Sequence, residues 1–373
     1  MVHLPFEIRN LASHVAGWLL ADGPESDVVV SCRVRLARNL TGFAFQPKLD
    51  PDRSQELSNR LRVALTDACL DGETWWIPLE DASPVLRAIL IERNLASRDL
   101  VRGGEATEPG TDAPDQSGRP GRAVAFGRSE TVTAMVGEED HLRLSALAAG
   151  LDLELAWQRV HVLDGYLEGQ VEYSVREDLG YLTACPSNVG TGLRASVMLH
   201  LPALGNVRSE LEKLFTAAQH TGLAVRGMQG EGSKAAGDLY QVSNQVTLGR
   251  TEAQLMEDLA GFVGCAVDFE RKMRQTLLDA RGSALRDRVA RSYGLLRTSR
   301  AIPTEDALAH LSDLRLGLHL GLMRELKLED LNRLALQIQK GHIHALTQAD
   351  EQGMLDASER DKLRASLLRT ELS

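Results

Sequence analysis

Four separated segments hold the residues most able to act on a phosphate or on a cationic substrate. In the first, Arg33 and Arg35 alternate with Cys32, Val34 and Leu36, so an extended chain projects both guanidiniums from one face. Such a pair serves either as surface ion-pair partners or as a clamp for an anion. The second, Gly137-Glu138-Glu139-Asp140-His141-Leu142-Arg143, sets three carboxylates beside an imidazole and a guanidinium. It is either a solvated turn or the place where one carboxylate grips a cationic substrate and accepts its proton. The third runs Thr183-Ala184-Cys185-Pro186-Ser187-Asn188-Val189-Gly190-Thr191-Gly192-Leu193-Arg194. Its glycines, with Arg194 entering an expected helix, would gather N–H groups and a cation around an anion; the plainer reading is a tight loop with a buried thiol. In the fourth, Arg226-Gly227-Met228-Gln229-Gly230-Glu231-Gly232-Ser233-Lys234, Gly227 and Gly232 have the separation of a P-loop. The order excludes one, because a P-loop lysine directly follows the second glycine and precedes the hydroxyl, whereas Ser233 precedes Lys234. What remains is a surface loop or an active-site flap carrying Glu231.

These segments need elements to position them. Apolar spacing predicts a short helix over Phe6–Leu20, stopped by Asp22-Gly23-Pro24, and then a strand from Val28 through Arg38. Helices are expected over Ser54–Leu70, Val85–Leu95, Arg143–Ala149 and Val207–His220, and strands over Ala123–Phe126, Thr131–Val136 and Glu168–Tyr173. Residues 103–121 have only alanine for apolar content and read as a flexible surface loop. After about Thr251 helical periodicity is nearly continuous. The expectation is an α+β fold of two domains in 373 residues, a phosphotransferase-sized part over 1–255 and an all-helical part over 256–373.

Composition narrows the function classes. A net charge of −10 argues against a general nucleic-acid binder. No apolar run approaches the ~20 residues of a membrane span, and the first residues lack a secretory pattern, so a cytoplasmic protein is expected. Cys32, Cys69, Cys185 and Cys265 are too scattered for a zinc site or a disulfide framework, so reduced thiols and no protein-held metal are expected.

Taken in order, Ser31-x-Arg33-x-Arg35, Glu138 to Arg143, Thr183 to Thr191 and Arg226-Gly-x-x-Gly-Glu231 resemble the ATP:guanido phosphotransferase family. Asn188–Leu204 and Tyr240–Gly249 resemble its bacterial protein arginine kinases, and the likeness spans nearly the whole chain outside 103–121. The resemblance implies a guanido-kinase domain with an antiparallel sheet flanked by helices, followed by a helical carboxy-terminal domain. It implies a cage of Arg33, Arg35, Arg143, Arg194 and Arg226 for the phosphates of ATP with Mg2+. The nucleotide segments it marks are Ser31, Cys32, Arg33, Val34 and Arg35; Arg194, Ala195, Ser196, Val197 and Met198; and Arg226, Gly227, Met228, Gln229, Gly230 and Glu231. Glu139 and Glu231 match the carboxylates that orient and deprotonate the guanidinium, and Cys185 matches the active-site cysteine. Arg360, Asp361, Arg364 and Ala365 match a motif for binding phosphoarginine at a regulatory site.

The same resemblance implies phosphorylation of arginine in partly unfolded proteins, marking them for a Clp-type ATPase-protease, with a zinc-binding activator protein and a homodimer as expected partners. The chain departs from the family at Lys234, usually a glutamate, at Asn94, usually a histidine near the nucleotide, and at Gly137, usually an asparagine. A second reading of the same residues is therefore a catalytically weak relative that acts as a phosphoarginine-binding adaptor.

Overall fold

A computed structural model describes residues 4–102, 120–227, 236–347 and 354–373. From the amino end come helix α1 (Ile8–Ser13), strand β1 (Val29–Arg38), helix α2 (Pro51–Asp67), strand β2 (Trp75–Pro78), helices α3 (Pro84–Glu92) and α4 (Arg98–Arg102), and strands β3 (Ala123–Phe126), β4 (Val132–Val136) and β5 (Leu142–Ala149). Helix α5 (Leu153–Glu168) and the hairpin β6 (Val175–Arg176) and β7 (Gly180–Tyr181) lead to β8 (Leu193–His200), α6 (Pro202–Asn206), α7 (Arg208–His220), β9 (Leu223–Gly227) and β10 (Leu239–Asn244). Only helices follow: α8 (Glu252–Thr298), α9 (Thr304–His319), α10 (Leu328–Gln337), α11 (Lys340–Thr347) and α12 (Ala357–Glu371).

Eight strands form one antiparallel sheet in the order β2-β3-β4-β5-β1-β8-β10-β9. Side chains alternate across a strand, so the register sorts every position onto one of two faces. On the lower face Val34, Leu36, Leu144, Ala146, Ala195, Val197 and Val242 are buried, packed beneath α2, α5 and the first half of α8. Burying each of the larger of these contributes roughly 1.5–3 kcal/mol, enough to fix which face is down. On the upper face, α1, α3 and α11 cover the β2-β3-β4 end through Ile77, Val124, Phe126 and Met135. The middle of that upper face, over β1, β8 and β10, is left to polar side chains.

The α+β architecture and the helical carboxy-terminal part agree with the sequence, and so do β1, β3, β4, α2, α3 and α7 within a few residues. Three expectations are corrected. Arg143–Ala149 is strand, and Arg194 stands on β8 instead of entering a helix. In Arg143–Ala149 leucine and alanine occupy both faces after Ser145, so the alternation that marks a half-exposed strand is lost, whereas β8 keeps it, with Leu193, Ala195, Val197 and Leu199 down and Arg194, Ser196 and His200 up. Glu168–Tyr173 is not a strand: α5 runs to Glu168, and Val171 and Tyr173 are buried by packing alone, Tyr173 making an isolated bridge to Leu40. The helix expected over Phe6–Leu20 stops at Ser13, where the His14 backbone turns extended and its carbonyl accepts from the buried Arg93 Nη2 at 2.9 Å.

One buried pair fixes the start of β8 against β1. Arg38 Nε and Nη2 donate to the two Asp164 oxygens at 3.0 and 2.7 Å, while Nη1 donates to the carbonyls of Ala37 and Thr191. Its guanidinium also lies 3.5 Å from the centre of the Tyr181 ring. Removing one partner of a buried pair strands the other charge. Asp164→Ala is therefore expected to lower stability by about 3–5 kcal/mol, read by urea unfolding. A loss within 1 kcal/mol would show that water replaces the carboxylate.

Candidate active site

The register brings the sequence-predicted arginines onto the upper face together. Arg33 and Arg35 lie two apart on β1; Arg194 of β8 stands opposite Arg35, and Arg143 of β5 stands opposite Ala37. Further across, Gln241 of β10 pairs with both Met198 and Arg226, which puts Arg226 of β9 on the same face. Ser31, Ser196 and Met198 also point up. Cys32, Val34, Ala195 and Val197, which share the nucleotide segments, point down into the core, where burial pushes the Cys32 thiol up to about 12. Met228, Gln229, Gly230, Glu231 and Lys234 lie outside the described residues.

The arginine face is short of negative charge. The Nε atoms of Arg33, Arg35 and Arg194 are buried without a hydrogen-bond partner. Burial and the neighbouring Arg143 and Arg194 push Arg33 down to about 10, and burial with Arg33, Arg143 and Arg194 lowers Arg35 further. Burial, Arg226 and Arg143 lower Arg194 in the same way. Guanidiniums do not give up their protons in proteins, so these shifts express an unfavourable concentration of cations. A polyanion relieves it. The face opens into a cavity of about 850 Å³ lined by Arg35, Arg143, Arg194, Arg226, Glu139 and Asn188 among others.

The acidic run divides its labour. Glu138, buried, pairs with Arg143 and accepts from Ser97 Oγ. Asp140, also buried, accepts from Asn39 Nδ2 and the Ala184 N–H, each at 2.7 Å, and so ties the β4–β5 turn to the Cys185 loop. His141 is held between the Leu40 N–H and the Ala44 carbonyl, and burial lowers its pKa, so it is a structural imidazole. Glu138 and Glu139 both line the cavity, but Glu139 is the exposed one of the run. Its side chain is 42% exposed, with Oε1 accepting from Arg143 Nη2 at 2.6 Å and from Asn188 Nδ2 at 3.1 Å. Burial, with Asp140 and Glu138 nearby, raises its pKa despite Arg143 and Asn188.

Cys185 is the residue before a short 3₁₀ turn, Pro186–Asn188, that delivers Asn188 to Glu139; its sulfur lies 3.0 Å from Ser187 Oγ. Sequence reasoning missed Asn188, Asn39 and Arg38. Asn188 was visible in the third segment, but its role depends on the fold bringing that turn to residue 139. Among the described residues no cluster of three His, Cys, Asp or Glu suits a metal ion.

Comparison with known sequences identifies this arrangement. Residues 56–273 match the profile of the ATP:guanido phosphotransferase C-terminal catalytic domain, and residues 282–373 match that of the protein-arginine kinase McsB C-terminal domain. The chain belongs to the ATP:guanido phosphotransferase family. Within it, the chain is 38% identical to a protein-arginine kinase of Halothermothrix orenii over 96% of its own length and 97% of the relative's. It is also 38% identical to one of Halalkalibacterium halodurans, over 98% and 97%. Among solved structures it resembles lombricine kinase, with a TM-score of 0.56 and 26% identity over 74% of this chain and 72% of that one. The duplicated taurocyamine kinase of Schistosoma mansoni gives 0.58 and 26% over 72% of this chain, which spans 36% of that longer one. A family of ATP:guanido phosphotransferases accounts for a cationic face suited to a polyanion.

The carboxy-terminal motif is placed differently from the cleft. Arg364 is buried in α12: Nε donates to the Ile338 carbonyl at 2.8 Å, and Nη1 to the Ile302 carbonyl at 2.7 Å and to Asp361 Oδ1 at 2.6 Å. Ala365 is fully buried, while Arg360 and Asp361 are partly exposed.

Asn188 favours the ionised form of Glu139, so its loss raises that carboxyl's pKa further. A pH–rate profile of kcat/KM is expected to fall on its acid side at a pKa above the usual 4.5, and Asn188→Ala is expected to move that limb to higher pH. An unmoved limb would separate Glu139 from the proton transfer.

Proposed function

We propose that this chain transfers the γ-phosphoryl group of ATP to the guanidinium of arginine side chains in proteins. The observation that carries the reading is the convergence of Arg33, Arg35, Arg143, Arg194 and Arg226 on one sheet face, with Glu139 at the edge of the same cavity. Phosphoryl transfer needs positioning and charge neutralisation, and arginines supply both without a P-loop. Magnesium fits as a companion of the nucleotide, because it keeps several waters and takes phosphate oxygens, and the described residues hold no dedicated cage. When bound, it neutralises charge on the phosphate chain.

The protein's own residues do the remainder. The arginines hold the terminal phosphates in line, and Glu139 grips the substrate guanidinium. As a guanidinium nitrogen attacks, its N–P bond forms, the bond from Pγ to the bridging oxygen breaks, ADP leaves, and the nitrogen's proton passes to Glu139. A raised pKa suits that base, since an ordinary carboxylate is a weak acceptor for such a proton. Cys185 and Glu231 are assigned to the substrate guanidinium on the family's pattern. Protein substrates follow from the relatives' name; marking for a Clp-type protease, a zinc-binding activator, a homodimer and a cytoplasmic location belong to the same reading. So does a division into a catalytic part, 1–255, and a helical part, 256–373. No described helix is long and apolar enough to cross a membrane.

The test is incubation with ATP, magnesium and a loosely folded arginine-rich protein, with acid-labile phosphate on arginine read by mass spectrometry. Glu139→Gln is expected to lower the rate by about 10²–10⁴, and Arg33→Ala by about 10²–10³. No phosphoarginine from the wild type would leave the adaptor reading in its place. For the regulatory motif, Arg360→Ala is expected to weaken phosphoarginine binding while leaving ATP binding and the melting temperature unchanged. Arg364→Ala is expected to lower the melting temperature, because it releases the carbonyls of Ile302 and Ile338. Equal loss of ATP and phosphoarginine binding in Arg360→Ala would refute two separate sites.

A further inference from the structure

Beside the arginine face, a second cavity of about 440 Å³ continues along β8 and is closed from above by α9 and α10. Arg33 and Arg35 line it as well, so it opens from the phosphate side. Buried polar atoms without partners point to a missing ligand, since nearly all such atoms are paired in folded proteins. Here they are Trp18 Nε1, Arg33 Nε, Ser196 Oγ, His200 Nδ1 and Arg315 Nε, all on residues lining this cavity. Arg194, Ser196, Met198 and His200 follow one another along the same face of β8. Six residues of strand cover about 20 Å, about the length of an extended nucleoside triphosphate.

His200 differs from the other four. Ser312 of α9 donates its hydroxyl proton to Asp238 Oδ2 at 2.7 Å, so its oxygen must accept from His200 Nε2 at 2.8 Å. That relay fixes the tautomer: Nε2 carries the proton and Nδ1 presents a lone pair to the cavity. Burial, with Arg315 and Arg274 nearby, holds the imidazole well below its usual pKa, so Nδ1 stays an acceptor. Trp18 Nε1, Arg33 Nε and Arg315 Nε are donors only. Among these five unpartnered atoms, His200 Nδ1 is therefore the one fixed acceptor, beside three donors and a Ser196 hydroxyl that can play either part. Adenine presents one amine among acceptor nitrogens; a 6-oxopurine reverses that pattern with a carbonyl and a ring N–H.

We propose that His200 is a specificity-determining residue, accepting a hydrogen bond from the exocyclic amine of adenine and so selecting ATP over 6-oxopurine nucleotides. The inference rests on the phosphotransferase reading above, with the base lying in the cavity that continues from the arginines. Its consequence is that a helix of the carboxy-terminal part, through Ser312, sets nucleotide choice on the sheet.

The experiment is direct calorimetric binding of ATP, inosine triphosphate and purine riboside triphosphate, which lacks the amine without added bulk. The wild type is expected to bind ATP about tenfold more tightly than either analogue. His200→Leu is expected to weaken ATP about tenfold to the analogues' level and to leave purine riboside triphosphate nearly unchanged. Ser312→Ala, which frees the tautomer and removes only one hydroxyl from the cavity wall, is expected to reduce the same preference, and Arg33→Ala to weaken all three nucleotides alike. Equal wild-type affinity for ATP and purine riboside triphosphate overturns the role of His200 without needing any variant to fold, and leaves the phosphotransferase reading standing. An ATP preference retained in folded His200→Leu overturns it too. Failure of the wild type to bind any of the three nucleotides overturns the reading on which it rests.

Discussion

Strand β1 must be two things at once. Its lower side chains, Cys32, Val34 and Leu36, are sealed into the main core, and its upper ones, Arg33 and Arg35, are held beside Arg143 and Arg194 with little to neutralise them. Like charges gathered in a partly desolvated place resist assembly. What holds them there is the register: slipping β1 by one residue would put guanidiniums into the core and leucine into the cleft. The apolar half of the sheet therefore fixes the geometry of the charged half. Pairing with both β5 and β8 over most of its length leaves β1 no edge along which to relax. A site of this kind is pre-organised, and the strain of the cations is relieved only when an anion arrives.

That dependence explains which parts of the molecule were legible beforehand. The alternation of Arg33 and Arg35 with apolar neighbours survives in the sequence because one face is polar and one is not. In β5 the same division begins at Leu142-Arg143-Leu144 but gives way after Ser145 to residues apolar on both faces, and the period of two disappears; in β8 it persists through Ser196 and His200, where the glycines before Arg194 suggested a helix entrance instead. The helices were the easier part, where caps and spacing agree: α8 begins at a capping box made by Thr251 and Gln254. Arg38 was opaque for another reason. It continues the pattern of Arg33 and Arg35 by residue type, but it lies on the opposite face of the strand and finds Asp164, 126 positions away, which local sequence does not announce.

The acidic run shows how far residue types alone can go. Three adjacent carboxylates at a strand end offered a solvated turn or a catalytic group, and both descriptions fail for most of them. Glu138 and Asp140 are buried and hold the turn, through Arg143 and Ser97 in one case and Asn39 and the Ala184 N–H in the other. Their burial confines the backbone so that Glu139 points at the cavity. Glu139 is placed by its two neighbours, and the Cys185 loop is placed by Asp140. A change at Asp140 would therefore disturb both sides of the cleft together, although it touches neither the cavity nor the arginines.

The carboxy-terminal helices are built into this site as well as attached to it. Glu92, at the end of α3, accepts from the first N–H groups of α11 and from His342 Nδ1 at 2.7 Å, while its neighbour Arg93 is locked to Glu130 by two bonds of 2.6 Å. The next residue is Asn94, in left-handed backbone at φ 61° and lining the cavity along β8. On the other side Arg315 of α9 reaches back to the Ser26 carbonyl and to Asn332, which in turn donates to the Leu19 carbonyl. These contacts are buried and directional, so the helices cannot shift without exposing unpaired polar groups. Arg364 extends the chain of constraint, since it joins α12 to the carbonyl at the end of α10 and to the loop before α9. A ligand drawing on Arg360 and Asp361 would act on the helix that carries Arg364. That helix is tied through Arg364 to the end of α10, and α10 in turn carries Asn332, which accepts from Arg315 and lines the second cavity, so the two regions share one rigid element, the physical connection that coupling between them requires.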